Sequence, residues 1–287
     1  MRTLLAVDGS DQSYEAARAL AHLSPAEQLI VLHAVDVPKP AYPMILPEVA
    51  QEIYTTLERT MREDGERLLN KISSILPEHT GPVSKRLEVG RVVEVILAVA
   101  EKEEVDLIVL GARGLGPFRE LVIGSVSHRV LMHASCATLV VNRPWPSLRR
   151  VLLAVEGPQD AESACRFLAL RPFRGPVEVT VLTVLPFAQP IWPAGVSDSE
   201  ALKANLVKSA RNFAWDVATR LTGHHCVATA AVAQGAPAVE ILQEASRTKP
   251  DLILLGSRGH EGPTRFLLGS VSHAVLHRAP CPTLVFR

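Results

Sequence analysis

Two stretches of the chain repeat one spacing of glycine, arginine and serine. Residues 111–128 read GARGLGPFRELVIGSVSH and residues 256–273 read GSRGHEGPTRFLLGSVSH. The shared pattern is Gly-x-x-Gly, nine residues, then Gly-Ser: Gly111, Gly114, Gly124 and Ser125, matched by Gly256, Gly259, Gly269 and Ser270. Glycine lets a large anion reach the backbone without meeting a Cβ. A helix that begins at Gly-Ser-Val-Ser turns its unbonded N–H groups and the positive end of its dipole toward that anion. The hydroxyls of Ser125, Ser127, Ser270 and Ser272 can donate to phosphate oxygens, and Arg113 and Arg258 can add charge. The chemistry suggested is phosphate binding. Glycines after strands and serines at helix starts are also ordinary punctuation, so the repetition matters.

Each loop needs a strand to deliver it and a helix to receive it. In the first half, β-branched and Leu-rich runs at 2–8, 27–37, 82–89, 105–111 and 138–142 read as strands, with helical patterns at 11–23, 47–76, 92–103 and 124–134 between them. The second half repeats the script, with strands at 150–156, 177–184, 226–232, 251–256 and 283–287. Alternating β and α with continuously apolar strands predicts an α/β fold of doubly wound domains, each a mainly parallel sheet covered on both faces. In such sheets ligands lie beyond the carboxyl ends of the strands, where strand order reverses. If strands one and four flank that point, Asp8 faces Gly111 across a crevice. Its carboxylate suits ribose hydroxyls or a phosphate-bound Mg²⁺. Val35, ending strand two, offers a base an apolar wall.

Internal duplication accounts for the repetition. LLAVDGS at 4–10 returns as LLAVEGP at 152–158, and CATLVV at 136–141 returns as CPTLVF at 281–286. Residues 90–142 align with 235–287 without a gap, with roughly two identities in every five positions. The domains are expected at 1–143 and 150–287, divided by the proline-interrupted NRPWPSLRR at 142–150. Proline-rich excursions at 36–47 and 185–195, carrying Tyr42, Met44, Phe187 and Trp192, read either as a lid or a contact with the other half, or as plain surface crossovers.

The 30 basic and 30 acidic side chains balance, which points away from nucleic acid and anionic membrane as partners. The four cysteines have no paired spacing, which argues against a disulfide framework or zinc site. The first apolar run is too short for a signal sequence or membrane span, so a soluble, cytoplasmic protein is expected. No Walker or Gly-x-Gly-x-x-Gly pattern occurs. His273 and His277 have a metal-compatible spacing, but without a patterned acidic third ligand they read as helix-face histidines.

The glycine motif after an apolar strand, with Val-Asp-Gly-Ser near the start, resembles the universal stress protein family in a tandem form covering nearly the whole chain. The resemblance implies five-stranded parallel sheets in the order 3-2-1-4-5 and ATP or a related adenine nucleotide in the crevice. By position it implies contacts from Asp8 to ribose and the metal side, and from Val35 to adenine. Gly111, Arg113 and Gly114 would meet ribose and α-phosphate, and Gly124, Ser125, Val126 and Ser127 the outer phosphates. The second set would be Glu156, Val184, Gly256, Arg258, Gly259, Gly269, Ser270, Val271 and Ser272. Here Glu156 and Pro158 replace Asp8 and Ser10, so the first site should be the more regular. The resemblance also implies pairing of the halves through their last strands as an internal pseudo-dimer, with further self-association open. Three function classes follow: an ATP-binding regulatory module with little or no hydrolysis, acting on an unknown protein partner; a slow ATPase or nucleotidyl-transfer enzyme; or an interaction module without nucleotide.

Overall fold

A computed structural model describes residues 1–38, 47–112, 123–186, 199–223, 225–257 and 268–287. It comprises two compact units, one of residues 1–21 with 25–142 and another of 143–287 with 22–24.

The first unit runs β1 (Arg2–Ala6), α1 (Asp11–Ala19), β2 (Gln28–Val35), α2 (Pro47–Ile75), β3 (Val83–Val89), α3 (Val92–Lys102), β4 (Leu107–Gly111), α4 (Ser125–His133) and β5 (Ala137–Val141). All its strand pairs are parallel, in the order β3-β2-β1-β4-β5. The second unit runs β6 (Arg150–Ala154), α5 (Pro158–Ala169), β7 (Val177–Leu185), α6 (Ser199–Leu221), β8 (Cys226–Gln234), α7 (Pro237–Thr248), β9 (Leu252–Gly256), α8 (Ser270–Arg278) and β10 (Thr283–Phe286). Its parallel order is β8-β7-β6-β9-β10. Both orders match the arrangement expected for a doubly wound α/β domain.

The central strands explain themselves. Every residue of β4 and β9 is buried, as a strand with helices on both faces requires, and their sequences are accordingly apolar throughout. The edge strand β3, VSKRLEV, instead alternates exposure and carries the charges that discourage edge pairing. Helix α1 buries Ala16, Ala17 and Ala19, small enough to bring its axis close to the sheet. Among the described residues no helix is long and apolar enough to cross a membrane.

Candidate functional site

In each unit the order reverses beside the first strand, which has β2 and β4 as neighbours in one unit and β7 and β9 in the other. The loop motif is stitched to the sheet identically in both. The Gly124 N–H donates to the Ala112 carbonyl (2.6 Å) and the Gly269 N–H to the Ser257 carbonyl (2.8 Å). Ala112 and Ser257 in turn donate to Val141 (2.8 Å) and Phe286 (3.0 Å). Buried Ser127 donates its hydroxyl to the Gly111 carbonyl (2.7 Å), and Ser272 does the same to Gly256 (2.6 Å). These two hydroxyl protons are therefore spent on the strand ends. Ser125 and Ser270, the other two serines expected to donate to phosphate, are exposed.

The helix mouths have the form the sequence suggests. Gly124 and Gly269 are N-caps in extended conformation and offer no side chain to the helix. The first intrahelical bonds are donated by His128 to Gly124 (3.0 Å) and by His273 to Gly269 (2.9 Å). The N–H groups of Ser125, Val126 and Ser127, and of Ser270, Val271 and Ser272, precede those bonds, so each mouth presents three donors to its crevice.

The acid of the first unit is tightly held. Asp8 lies just past β1, half-buried, and its Oδ1 accepts from the Ser10 N–H (3.0 Å) and the Ser10 hydroxyl (2.6 Å). The Ser10 oxygen also accepts from the Ser13 N–H (3.2 Å), which caps α1. Gly9, between them, has φ +81°, a left-handed conformation that a side chain would strain. The carbonyl of Val7 accepts from the Nδ1–H of His33 (2.8 Å), tying this corner to β2. A Cβ on Gly111 would lie 2.7 Å from the backbone carbon of Gln12, so α1 meets the strand end with its main chain.

The second unit replaces that clamp. Pro158 has neither the N–H nor the hydroxyl of Ser10, Gly157 caps α5 without a side-chain bond, and Glu156 is exposed. Thr183 stands where His33 does, and its buried hydroxyl has no partner among the described residues. Asp160, in the first turn of α5, comes to the crevice instead. Its Oδ2 is 3.4 Å from the Glu156 N–H, and a Cβ on Gly256 would fall on its carboxylate, 2.8 Å from Cγ.

A cavity of about 360 Å³ opens here, within the range of small-molecule sites. Glu156, Val184, Gly256, Gly269, Ser270, Val271 and Ser272, all singled out in the sequence, line it together. Leu182, Ile241 and Pro237 complete an apolar wall, and Asp160 joins Gly256 on the polar side. Arg113, Gly114, Arg258, Gly259 and the lid candidates Tyr42, Met44, Phe187 and Trp192 lie outside the described residues. The His273 and His277 rings are 4.5 Å apart.

Val35 and Val184 are not equivalent. Gly90 donates to Val35 (2.9 Å) and Gly235 to Leu185 (2.9 Å), which makes Leu185 the counterpart of Val35 and Ala34 that of the cavity-lining Val184. Because strand side chains alternate, Val35 faces the opposite side of its sheet, where it is fully buried. Sequence reasoning missed Ala34, Asp160 and Ile241. The one signal for Asp160 was an acid replacing Gln12 a helical turn after Glu156.

The model of the universal stress protein family matches residues 1–142 and again 147–287. A universal stress protein of Mycobacterium tuberculosis is 25% identical over 92% of this chain and 93% of its own. One of Mycolicibacterium smegmatis is 26% identical over 99% and 96%. The crystal structure of a universal stress protein from Archaeoglobus fulgidus superposes with a TM-score of 0.62 at 21% identity, covering 100% of this chain and 96% of that one, which shows a common fold.

Proposed function

The chain belongs to the universal stress protein family, and from that premise we propose that it is a stress-response module binding an adenine nucleotide, ATP with Mg²⁺ foremost, at the crevice of each unit. The observation that carries this reading is the second-unit cavity, which gathers an apolar wall, a helix mouth and two carboxylates around one space. The wall of Val184, Leu182 and Ile241 suits a base, and the N–H groups of Ser270, Val271 and Ser272 suit phosphate. Carboxylates suit ribose hydroxyls. In the first unit Asp8 would stand on the metal side, its Oδ1 already accepting from Ser10. Mg²⁺ would supply charge neutralisation for the polyphosphate.

The same crevices suit holding better than hydrolysis. Asp8 is held by Ser10 and Asp160 by the Glu156 N–H, a fixed placement that suits accepting from ribose hydroxyls more than taking a proton from water. We therefore read the protein as a regulatory binder whose nucleotide state governs an unidentified protein partner.

Mass spectrometry of whatever copurifies with the chain should find an adenine nucleotide. Calorimetric titration with Mg-ATP should show binding that Gly124→Val and Gly269→Val each reduce and together abolish, because a branched side chain at the cap blocks the mouth. Unchanged binding in the double variant rejects the site. Sustained phosphate release above the no-protein control rejects the passive reading and favours the enzyme.

A further inference from the structure

We propose that Asp160, and not Glu156, is the ribose-recognising carboxylate of the second crevice, a specificity-determining residue that has taken over the task one helical turn along the chain. The inference rests on the nucleotide reading of the cavity. Three observations carry it.

The first is what Glu156 has lost. Its counterpart Asp8 is fixed by two donors from Ser10, at 3.0 and 2.6 Å, whereas Pro158 offers neither and leaves Glu156 exposed on a longer side chain. An unanchored carboxylate loses rotamer freedom on binding, which weakens what it can contribute. The second is where Asp160 has arrived. Its carboxylate fills the space a Gly256 Cβ would take, at the end of β9, and lines the same cavity as Val184 and Ser270. A ligand with its base on the apolar wall and its phosphates at the helix mouth passes its sugar between the two, beside Gly256. The third is that Gln12, the counterpart of Asp160, meets Gly111 through its backbone and Cβ. The first unit thus keeps its acid at Asp8, and the second places one at Asp160.

Asp160 also sits in the first turn of α5, where an acid favours the helix dipole. The test must therefore read recognition and not stability. In the full-length chain carrying Gly124→Val, which leaves only the second crevice open, binding of ATP and of 2′,3′-dideoxy-ATP is measured by calorimetry. The expected preference for ATP is about ten- to a hundredfold, the usual worth of hydroxyls bonded to a charged acceptor. Asp160→Asn, close to isosteric, should remove most of that preference, while Glu156→Gln should keep it. Retention of the preference in Asp160→Asn, or its loss in Glu156→Gln, overturns the proposal. So does absence of binding in the Gly124→Val chain. In that case, ATP binding by the Gly269→Val chain would show that the nucleotide reading survives for the first crevice alone, and its absence there would remove both.

Discussion

At the first crevice the helix after β1 presses its main chain on the strand end, so that Gln12 backbone atoms occupy the space a Gly111 Cβ would need. At the second, the equivalent space beside Gly256 is filled by the Asp160 side chain. The bonds at the two ends of the loop do not differ: the Ser-to-Gly and Gly-to-carbonyl bonds recur with nearly the same lengths. Duplication has preserved what the backbone does and let side-chain acids drift. Backbone donors need only glycine and a helix start, while a carboxylate needs a neighbour to hold it. Pro158, standing where Ser10 does, offers Glu156 neither donor of that clamp, and the acid at position 160 lines the crevice.

The sharpest way to break this comparison is to add a methyl at each strand end. Gly111→Ala must push α1 off the sheet, since the obstructing atoms are the carbonyl carbon at 2.7 Å and oxygen at 2.9 Å of Gln12. A cost of about 2–3 kcal/mol is expected for that overpacking. Gly256→Ala need only turn the Asp160 carboxylate aside and should cost about 1 kcal/mol or less. All three tryptophans, Trp145, Trp192 and Trp215, belong to the second half. Urea unfolding followed by tryptophan fluorescence therefore reports that half, and far-UV circular dichroism reports both. Equal losses in the two variants would mean that the helices approach their strands alike.

A second pair should respond symmetrically. Ser127→Ala and Ser272→Ala each strip a buried carbonyl, Gly111 or Gly256, of its hydroxyl donor. About 1–2 kcal/mol is expected in either unit by the same unfolding measurements. A marked asymmetry would show that the loops are not built to one plan.

Much of this was legible in the chain and some was not, for reasons that particular residues make plain. The strands and loop-to-helix junctions could be read because β4 and β9 are unbroken apolar runs ending in glycine, and Gly-Ser-Val-Ser marks the helix start. Strand order came with the family resemblance and not with the pattern. Val35 shows the limit of period-two reading: with Ala34 and Val35 both apolar, nothing in the sequence says which faces the crevice, and a shift of one residue reverses the face. Ser127 and Ser272 carry hydroxyls that could equally reach a ligand or the chain. Helical periodicity turns them inward, toward the strand-end carbonyls. An acid in the first turn of a helix is so ordinary a complement to the dipole that Asp160 gave little reason to look at it.

A smaller effect tests the clamp. Ser10→Ala removes the α1 cap and the hydroxyl donor to Asp8 while leaving the backbone N–H donor in place, and should cost the first unit about 1 kcal/mol. Pro158→Ala in the second unit removes no bond and should change stability by about 0.5 kcal/mol or less. If the two substitutions cost the same, the clamp contributes nothing and the drift of the acid needs another cause.

The smallest expected effect concerns Cys136 and Cys281, which occupy equivalent places ahead of β5 and β10 but differ in exposure, Cys136 being half-buried and Cys281 buried. Burial pushes the Cys281 thiol from its ordinary 9.0 up to about 12. At pH 8 its thiolate is about one part in ten thousand, so a disulfide reagent should modify Cys136 in the native chain and reach Cys281 only when the second unit opens. The sign of the accompanying stability change follows from the shift. The folded state holds the thiol proton that the unfolded state releases near 9.0, so stability is fully present below that pH and falls as pH climbs toward about 12. Tryptophan-monitored urea midpoints between pH 7 and 10 should therefore decline less in Cys281→Ala than in the parent chain. Parallel declines would place the alkaline sensitivity elsewhere and leave burial of this thiol without consequence for the comparison.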